Sequence, residues 1–227
     1  MNEPDSVPDH LVERLRRLDT CSIADALDRF HLRGATAGLR PLWPCPRIAG
    51  RAVTVKVIPE GPKRASVRLA LPAIAAAQPG DVIVIDNGGR TEVSSWGDLL
   101  SAACIAKGVS GVVTDGASRD IDSSREMGFP VYGRATVAMT ARGRVMQDSF
   151  NTTIQFAGVQ VNPGDLVIAD GSGVVFVPAE SAEQVIEAAE RMAKRQAAMI
   201  KEVLVGRPIS EVMNDPQFRT EAEPAAR

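Results

Sequence analysis

The fold is decided by residues 97–122, "GDLLSAACIAKGVSGVVTDGASRDID". The first part, 97–108, predicts a short helix that ends at a glycine, and the apolar run 111–115 predicts a buried strand. Two further apolar strands flank this stretch, "DVIVID" (81–86) before it and "PVYGR" (130–134) after it. Strands that alternate with helices in this way are typical of β-α-β units. The centre of the chain is therefore predicted to be α/β.

The N-terminal part adds two helices, one strand and a further helix. "HLVERLRRL" (10–18) and "DTCSIADALDRF" (19–30) have helical spacing, and Ser22 is the predicted N-cap of the second helix. "RAVTVKVI" (51–58) alternates as a half-buried strand does. The alanine-rich segment 65–77 predicts another helix.

The C-terminal third predicts close-set strands followed by one long helix. The strands are "TIQFAGVQV" (153–161), "DLVIAD" (165–170) and "GVVFVP" (173–178), and the helix covers about 180–204. A polar tail after residue 214 is expected to fray. This order favours an α/β architecture with a mixed sheet over a plain doubly wound one.

One sequence pattern occurs twice, once in each half of the chain. "QPGDVIVIDNGG" (78–89) and "NPGDLVIADGSG" (162–173) both run from Pro-Gly-Asp through an apolar strand to an aspartate and glycines. The simpler interpretation is that Pro-Gly-Asp is a good turn before a strand. The alternative is a pseudo-symmetric sheet built from two similar strand-and-loop units.

Composition excludes several classes of function. The chain has 227 residues, 44% of them hydrophobic, which predicts one large domain with a substantial core. The net charge of −2 gives no electrostatic reason to bind nucleic acid or an anionic membrane. No segment reaches the roughly 20 apolar residues of a membrane span, and no signal region is visible. We therefore expect a soluble cytoplasmic protein without nucleic-acid or membrane partners.

The side chains available for chemistry are few. Cys21, Cys45 and Cys104 form no metal-binding or disulfide pattern, and the two histidines, His10 and His31, have no catalytic context. Nucleotide-binding glycine motifs are absent from the sequence. A bound metal would have mostly oxygen ligands, which favours Mg²⁺ or Mn²⁺ over Zn²⁺.

The candidate site lies at the ends of the helix 97–108 and the strand 111–115. Asp98 at the helix start is either a helix cap or part of an anion site with the amides of Leu99 and Leu100. Arg119 and Asp120 follow the strand, on the rim where α/β sheets bind ligands. Arg119 can hold a carboxylate or enolate oxygen, and Asp120 a hard cation. The alternative is an exposed ion pair in which Asp120 caps the helix 121–128.

Several motifs resemble those of the RraA-like family, which includes 4-hydroxy-4-methyl-2-oxoglutarate (HMG/CHA) aldolases and the regulator of ribonuclease E activity. The resemblance covers about 20–205. The most specific feature is an aspartate, twenty residues and then Arg-Asp, matched by Asp98 and the pair Arg119-Asp120. The other matching motifs are Asp86-Asn87-Gly88-Gly89, Gly108-x-x-Gly111, Asp115-Gly116 and Gly128-x-Pro130-Val131.

The resemblance implies an α/β/β/α sandwich of the swivelling phosphohistidine-domain type. One domain would cover 1–206, followed by a partly disordered extension, 207–227. It also implies homotrimers or dimers of trimers, with active sites at subunit interfaces.

The same resemblance implies roles for the site residues. Asp120 would bind Mg²⁺ or Mn²⁺ directly and Asp98 through water. Arg119 would hold the pyruvyl part of the substrate together with Gly97 and the amides of Leu99 and Leu100. Such aldolases also use a glutamate from the neighbouring subunit's C-terminal helix. Glu190 and Glu202 are candidates, but Gln196 is a third residue that can occupy that position.

The implied reaction is retro-aldol cleavage of a 4-hydroxy-2-oxo acid to pyruvate through a metal-stabilised enolate, with oxaloacetate decarboxylation as a side activity. A lysine Schiff base is the other possible electron sink, but Lys56 is better explained as an exposed strand residue. Neither histidine is placed to act as the general base, which leaves a water held by the metal or by a carboxylate. Arg142 and Arg144 either bind a second carboxylate or are simply solvated.

Two alternative functions remain open at this point. One is a non-catalytic, protein-binding regulator of ribonuclease, which would not need a convergent set of Asp98, Arg119 and Asp120. The other is a different lyase or hydratase acting on 2-oxo acids.

Overall fold

A computed structural model describes residues 7–61 and 68–218. Its α-helices are α1 (Asp9–Leu15), α2 (Thr20–Arg29), α3 (Leu71–Ala76), α4 (Asp98–Lys107), α5 (Ile121–Glu126), α6 (Ala182–Leu204) and α7 (Ile209–Asn214). Its strands are β1 (Arg40–Pro41), β2 (Ile48–Pro59), β3 (Val82–Asp86), β4 (Gly111–Thr114), β5 (Ala117–Ser118), β6 (Val131–Gly133), β7 (Ala135–Thr136), β8 (Val145–Phe150), β9 (Ile154–Phe156), β10 (Val159–Val161), β11 (Leu166–Asp170) and β12 (Gly173–Val177).

The predicted mixed α/β architecture is confirmed. The main sheet has the strand order β1-β6-β4-β3-β2-β11-β12, and β8 also pairs with β2. Strands β2, β3, β4 and β6 pair in parallel, as the β-α-β pattern predicts, whereas β11 and β12 join antiparallel. The long β2 connects the two parts, because Ile48–Arg51 pairs with β11 and Ala52–Lys56 pairs with β3.

Buried side chains form three apolar clusters that alternate along the strands. In β11, Leu166 and Ile168 pack under α1, α2 and α6, whereas Val167 and Ala169 point into the opposite cluster. In β3, Val82 and Val84 share that inner cluster, while Ile83 and Ile85 pack beneath α3 and α4. Both faces of each part of the sheet are therefore covered, which explains why these strands are almost continuously apolar.

The repeated Pro-Gly-Asp pattern forms the same turn at both places in the chain. Asp81 Oδ2 accepts a hydrogen bond from the Gln78 amide at 2.8 Å, and Asp165 Oδ2 accepts one from the Asn162 amide at 2.7 Å. The glycines within these turns have φ angles of 88° and 86°, a conformation that favours glycine. The strands that follow, β3 and β11, flank β2 on opposite sides. The repeat is thus a strand-and-turn unit placed on each side of one central strand.

Some predicted boundaries were wrong. The N-cap of α2 is Asp19 rather than Ser22, because Asp19 Oδ1 accepts the Ser22 amide at 2.7 Å. Helix α3 begins only at Leu71, and 65–67 lie outside the described residues. Strand β8 was not predicted, since "VMQDSF" has three polar residues in a row at its centre and no apolar run.

The C-terminal region is folded as far as residue 218, where the described residues end. Helix α7 buries Val212, and Arg207 pairs with Glu202 at 3.0 Å and with Asp215 at 2.9 Å. The division into 1–206 and 207–227 stays a prediction, and 219–227 lie outside the described residues. Across the described chain, no helix combines the length and apolar character needed to cross a bilayer.

Replacing Asp170 should weaken the attachment of α2 to β11 in a pH-dependent way. Its carboxylate accepts the Thr20 amide at 2.9 Å, the Thr20 hydroxyl at 2.7 Å and the Ser172 amide at 2.9 Å. Burial raises the pKa of Asp170, but the bonds from Thr20 and Ser172 outweigh burial and lower it overall.

A lowered carboxyl pKa gives stability that is present above the unfolded-state pKa and lost as the pH falls through the folded-state pKa. We expect Asp170→Ala to lower the free energy of unfolding by about 1–2 kcal/mol at neutral pH, an amount limited by solvent screening. Urea titrations at decreasing pH should show this difference shrinking. A difference independent of pH would contradict the assignment.

Candidate active site

Two loops at the carboxyl ends of β3 and β4 build the site. They run side by side, since the Ser95 amide donates to the Ala117 carbonyl at 2.9 Å and the Arg119 amide donates to the Trp96 carbonyl at 3.1 Å. These bonds extend the parallel β3–β4 pairing beyond the strands. As a result, Gly97 and Asp98 lie opposite Arg119 and Asp120.

The buried carboxylate of Asp115 holds the loop after β3 in place. Asp115 Oδ1 accepts the Asn87 amide at 2.6 Å, and its Oδ2 accepts the Gly89 amide at 3.2 Å. Burial raises the pKa of Asp115, while the amide bonds act in the opposite direction. Arg134 Nε donates to the Asp115 carbonyl at 2.8 Å. The Asp-Asn-Gly-Gly and Asp-Gly motifs therefore shape the loops.

All six site residues predicted from the sequence meet in one cavity of about 180 Å³. The predicted residues on its wall are Gly97, Asp98, Leu99, Leu100, Arg119 and Asp120. Sequence reasoning missed the remaining lining residues, which are Leu69, Ser94, Ser95, Trp96, Thr140 and Ala141. The missed residues are ordinary apolar or small polar side chains, and no motif marks them.

Asp120 occupies the position that precedes α5 but does not cap it. Its backbone is left-handed, with φ 56° and ψ 38°, and its side chain makes no capping hydrogen bond. Instead, its Oδ2 lies 3.1 Å from Arg119 Nε and accepts a long 3.4 Å bond from the Asp98 amide. The partly exposed ion pair of the alternative interpretation is therefore present, whereas its side-chain cap is not. The carboxylate faces the cavity at a backbone conformation that non-glycine residues rarely adopt.

Helix α4 begins with Gly97 as the N-cap and Asp98 as the first helical residue. Asp98 Oδ1 accepts the Leu99 amide at 2.7 Å, so this amide is already paired in the structure. The Leu100 amide makes no hydrogen bond with the described residues. Of the two amides predicted to hold an anion, the Leu100 amide is thus the available donor.

None of the other polar candidates lines the cavity. Glu190 forms a two-bond ion pair with Arg14 of the same chain, at 2.8 and 2.7 Å, and Glu202 pairs with Arg207. Arg142 and Arg144 are exposed in the turn just beyond the cavity wall. Lys56 is exposed, as predicted.

Comparison with known proteins decides the family. The family description "RraA-like: Aldolase/RraA" matches residues 20–176. The chain belongs to the RraA-like family. The resemblance seen in the motifs is thereby confirmed.

Individual relatives agree with this membership. Protein DlpA of Legionella pneumophila is 31% identical over 184 residues, which are 81% of this chain but 30% of DlpA. A Halalkalibacterium halodurans protein named "Putative 4-hydroxy-4-methyl-2-oxoglutarate aldolase" is 34% identical over 180 residues, covering 79% of this chain and 82% of that protein. The crystal structure of Streptomyces coelicolor RraAS2, described as an unusual member of the RNase ES inhibitor RraA family, aligns with a TM-score of 0.75 and 26% identity over 91% of this chain and 100% of that one.

Gly97→Ala should disturb the site without disturbing the fold. A Cβ at Gly97 would lie 2.7 Å from Asp120 Oδ2, closer than real Cβ contacts allow, so the carboxylate must turn away. The extended backbone of Gly97 suits any residue, and the thermal midpoint should stay close to that of the wild type. A crystal structure of the variant should show a displaced Asp120 side chain.

Gly171→Ala is the matched control, because a Cβ there meets nothing within 4 Å. An unmoved Asp120 carboxylate in Gly97→Ala would contradict the expected clash.

Proposed function

We propose that this chain is a divalent-metal-dependent aldolase that cleaves 4-hydroxy-2-oxo acids of the 4-hydroxy-4-methyl-2-oxoglutarate type to pyruvate. One observation carries the proposal: Asp98, Arg119 and Asp120 line one cavity at the start of α4. Two oxygen-donor carboxylates and one guanidinium are suited to a cation and a 2-oxo acid together. The names of the aldolase relatives support the same reaction class.

The side chains in the cavity fit Mg²⁺ or Mn²⁺. Among the described residues, no group of three or more His, Cys, Asp or Glu side chains is placed to hold a metal ion, and the cavity offers the two carboxylates of Asp98 and Asp120. Mg²⁺ is often held by one or two carboxylates, with water and substrate completing its shell. Asp120 would hold the ion directly and Asp98 through water. When bound, the ion supplies a Lewis acid for the enolate that forms on cleavage.

The protein's own groups bind and orient the substrate. About 40% of the Arg119 side chain is exposed. Its guanidinium can therefore face the 2-oxo acid carboxylate or the enolate oxygen while it keeps its contact with Asp120. The Leu100 amide, at the positive end of α4, offers a second donor to an anion. Cleavage also needs a base for the C4 hydroxyl proton, and we assign this role to a water held by Asp98. The same enolate would follow loss of CO₂ from oxaloacetate.

The site is open, which supports an association of subunits. Leu99 at its lip is 76% exposed, and further apolar side chains are exposed on α6 and α7. We propose a homotrimer or a dimer of trimers, with the swivelling phosphohistidine-domain arrangement in each subunit. Because Glu190 and Glu202 pair within their own chain, a cross-subunit glutamate would have to exchange its partner first.

Removal of the metal or of Asp120 should abolish pyruvate release from 4-hydroxy-4-methyl-2-oxoglutarate. We expect EDTA and Asp120→Ala each to lower the rate by about 100-fold or more, with Mn²⁺ restoring only the EDTA-treated wild type. Asp122→Ala is the matched control, since Asp122 is two residues away, exposed and paired with Arg125. Turnover that survives EDTA would refute the metal role.

Arg119→Lys should impair catalysis more than stability. Lysine keeps the charge but loses the planar, forked donors, so kcat/KM should fall by about 100-fold, equivalent to about 3 kcal/mol. The thermal midpoint should change little, because the ion pair with Asp120 is partly exposed. Arg125→Lys, in the neighbouring exposed pair, should leave both quantities unchanged.

A second candidate function is a protein-binding regulator, favoured by the similarity to RraAS2. It predicts neither turnover nor Mn²⁺ binding in the wild type. Mn²⁺ binding without turnover of either 4-hydroxy-4-methyl-2-oxoglutarate or oxaloacetate would instead favour another lyase or hydratase acting on 2-oxo acids.

A further inference from the structure

A buried polar contact joins the two helices that carry the candidate site. Ser101 of α4 and Ser124 of α5 have no solvent exposure, and their hydroxyl oxygens are 3.1 Å apart. Each serine is the fourth residue of its helix, three residues after Asp98 in α4 and four residues after Asp120 in α5. The contact therefore lies one turn behind the two carboxylates.

The Ser101 hydroxyl also makes hydrogen bonds to two other groups near the site. Trp96 Nε1 donates to Ser101 Oγ at 2.9 Å, and Ser101 Oγ donates to the Gly97 carbonyl at 3.3 Å. The bond between the two serines can run in either direction, since each hydroxyl has one hydrogen and can donate or accept. The Ser101 hydroxyl makes three of these contacts and the Ser124 hydroxyl makes one, so Ser101 is the centre of the network.

The same residues are tied to the site by backbone bonds. The Ser101 amide donates to the Gly97 carbonyl at 3.2 Å, and the Ser124 amide donates to the Asp120 carbonyl at 3.0 Å. The Trp96 ring also stacks on Phe129, with ring centres 6.1 Å apart, and the Phe129 amide donates to the Ser124 carbonyl at 2.9 Å. Any shift between α4 and α5 at this point must therefore move Gly97 relative to Asp120.

We propose that Ser101 and Ser124 are positioning residues, which hold Asp98 and Asp120 at the separation that a divalent cation needs. This inference rests on the proposed function, since it concerns the same pair of carboxylates. Neither serine lines the cavity, so both act through the helix starts. Ser101 has the larger effect, because its removal takes away the hydrogen-bond partner of both the buried Trp96 N–H and the buried Ser124 hydroxyl.

The test measures Mn²⁺ affinity by electron paramagnetic resonance on the full chain, without substrate. We expect Ser101→Ala to raise the Kd for Mn²⁺ by about 10-fold or more, and Ser124→Ala by a smaller factor. The double variant should bind no more weakly than Ser101→Ala, since the effect of Ser124 passes through Ser101. A merely structural role would not give this pattern.

The control is Ser110→Ala, which removes a comparable 3.0 Å hydrogen bond from the Ser110 hydroxyl to the Gly80 carbonyl, before the start of β4. It should lower the thermal midpoint without changing the Mn²⁺ affinity. Wild-type affinity in both Ser101→Ala and Ser124→Ala, with affinity lost in Asp120→Ala, would overturn the positioning role and leave the metal site standing. Wild-type affinity in Asp120→Ala would overturn the metal site itself, and the positioning role with it.

Discussion

The candidate site depends on the parallel pairing of two loops beyond the ends of β3 and β4. Side chains from residues 97–100 and 119–120 are distant in sequence, and only this backbone register brings them to the same cavity. The register is in turn fixed by the β3–β4 pairing, in which Ile85 lies beside Thr114. A shift of one residue would turn the strand residues before Arg119 to the opposite face, and this would move Arg119 and Asp120 away from Gly97.

Much of the fold follows from local sequence, and the exceptions have physical causes. Helix α4 and strands β3, β4 and β11 are marked by apolar runs between glycines, so their prediction needs no tertiary information. Strand β8 has no apolar run and only Val145 is buried in it, so its sequence does not mark it as a strand; it forms where β2 offers it a partner edge. The N-cap of α2 depends on which of two nearby polar residues reaches the first free amides, and spacing alone does not decide between Asp19 and Ser22.

The site could be predicted as far as its charged residues. Asp98, Arg119 and Asp120 are recognisable because their spacing is specific, and the topology places them on one rim. Trp96, Thr140 and Ala141 were missed because their contribution is shape, which depends on three separate loops converging. The pairing of Glu190 with Arg14 was also invisible from sequence, since it needs α1 and α6 to lie side by side.

The left-handed backbone of Asp120 has a consequence for how this family can change. An uncapped aspartate with φ 56° makes the chain less stable than a glycine there would, by about 1 kcal/mol. Glycine and asparagine adopt this backbone readily, whereas β-branched and bulky residues adopt it only at a cost. Folding therefore restricts which residues can replace Asp120, and glycine and asparagine are the replacements that the backbone tolerates best.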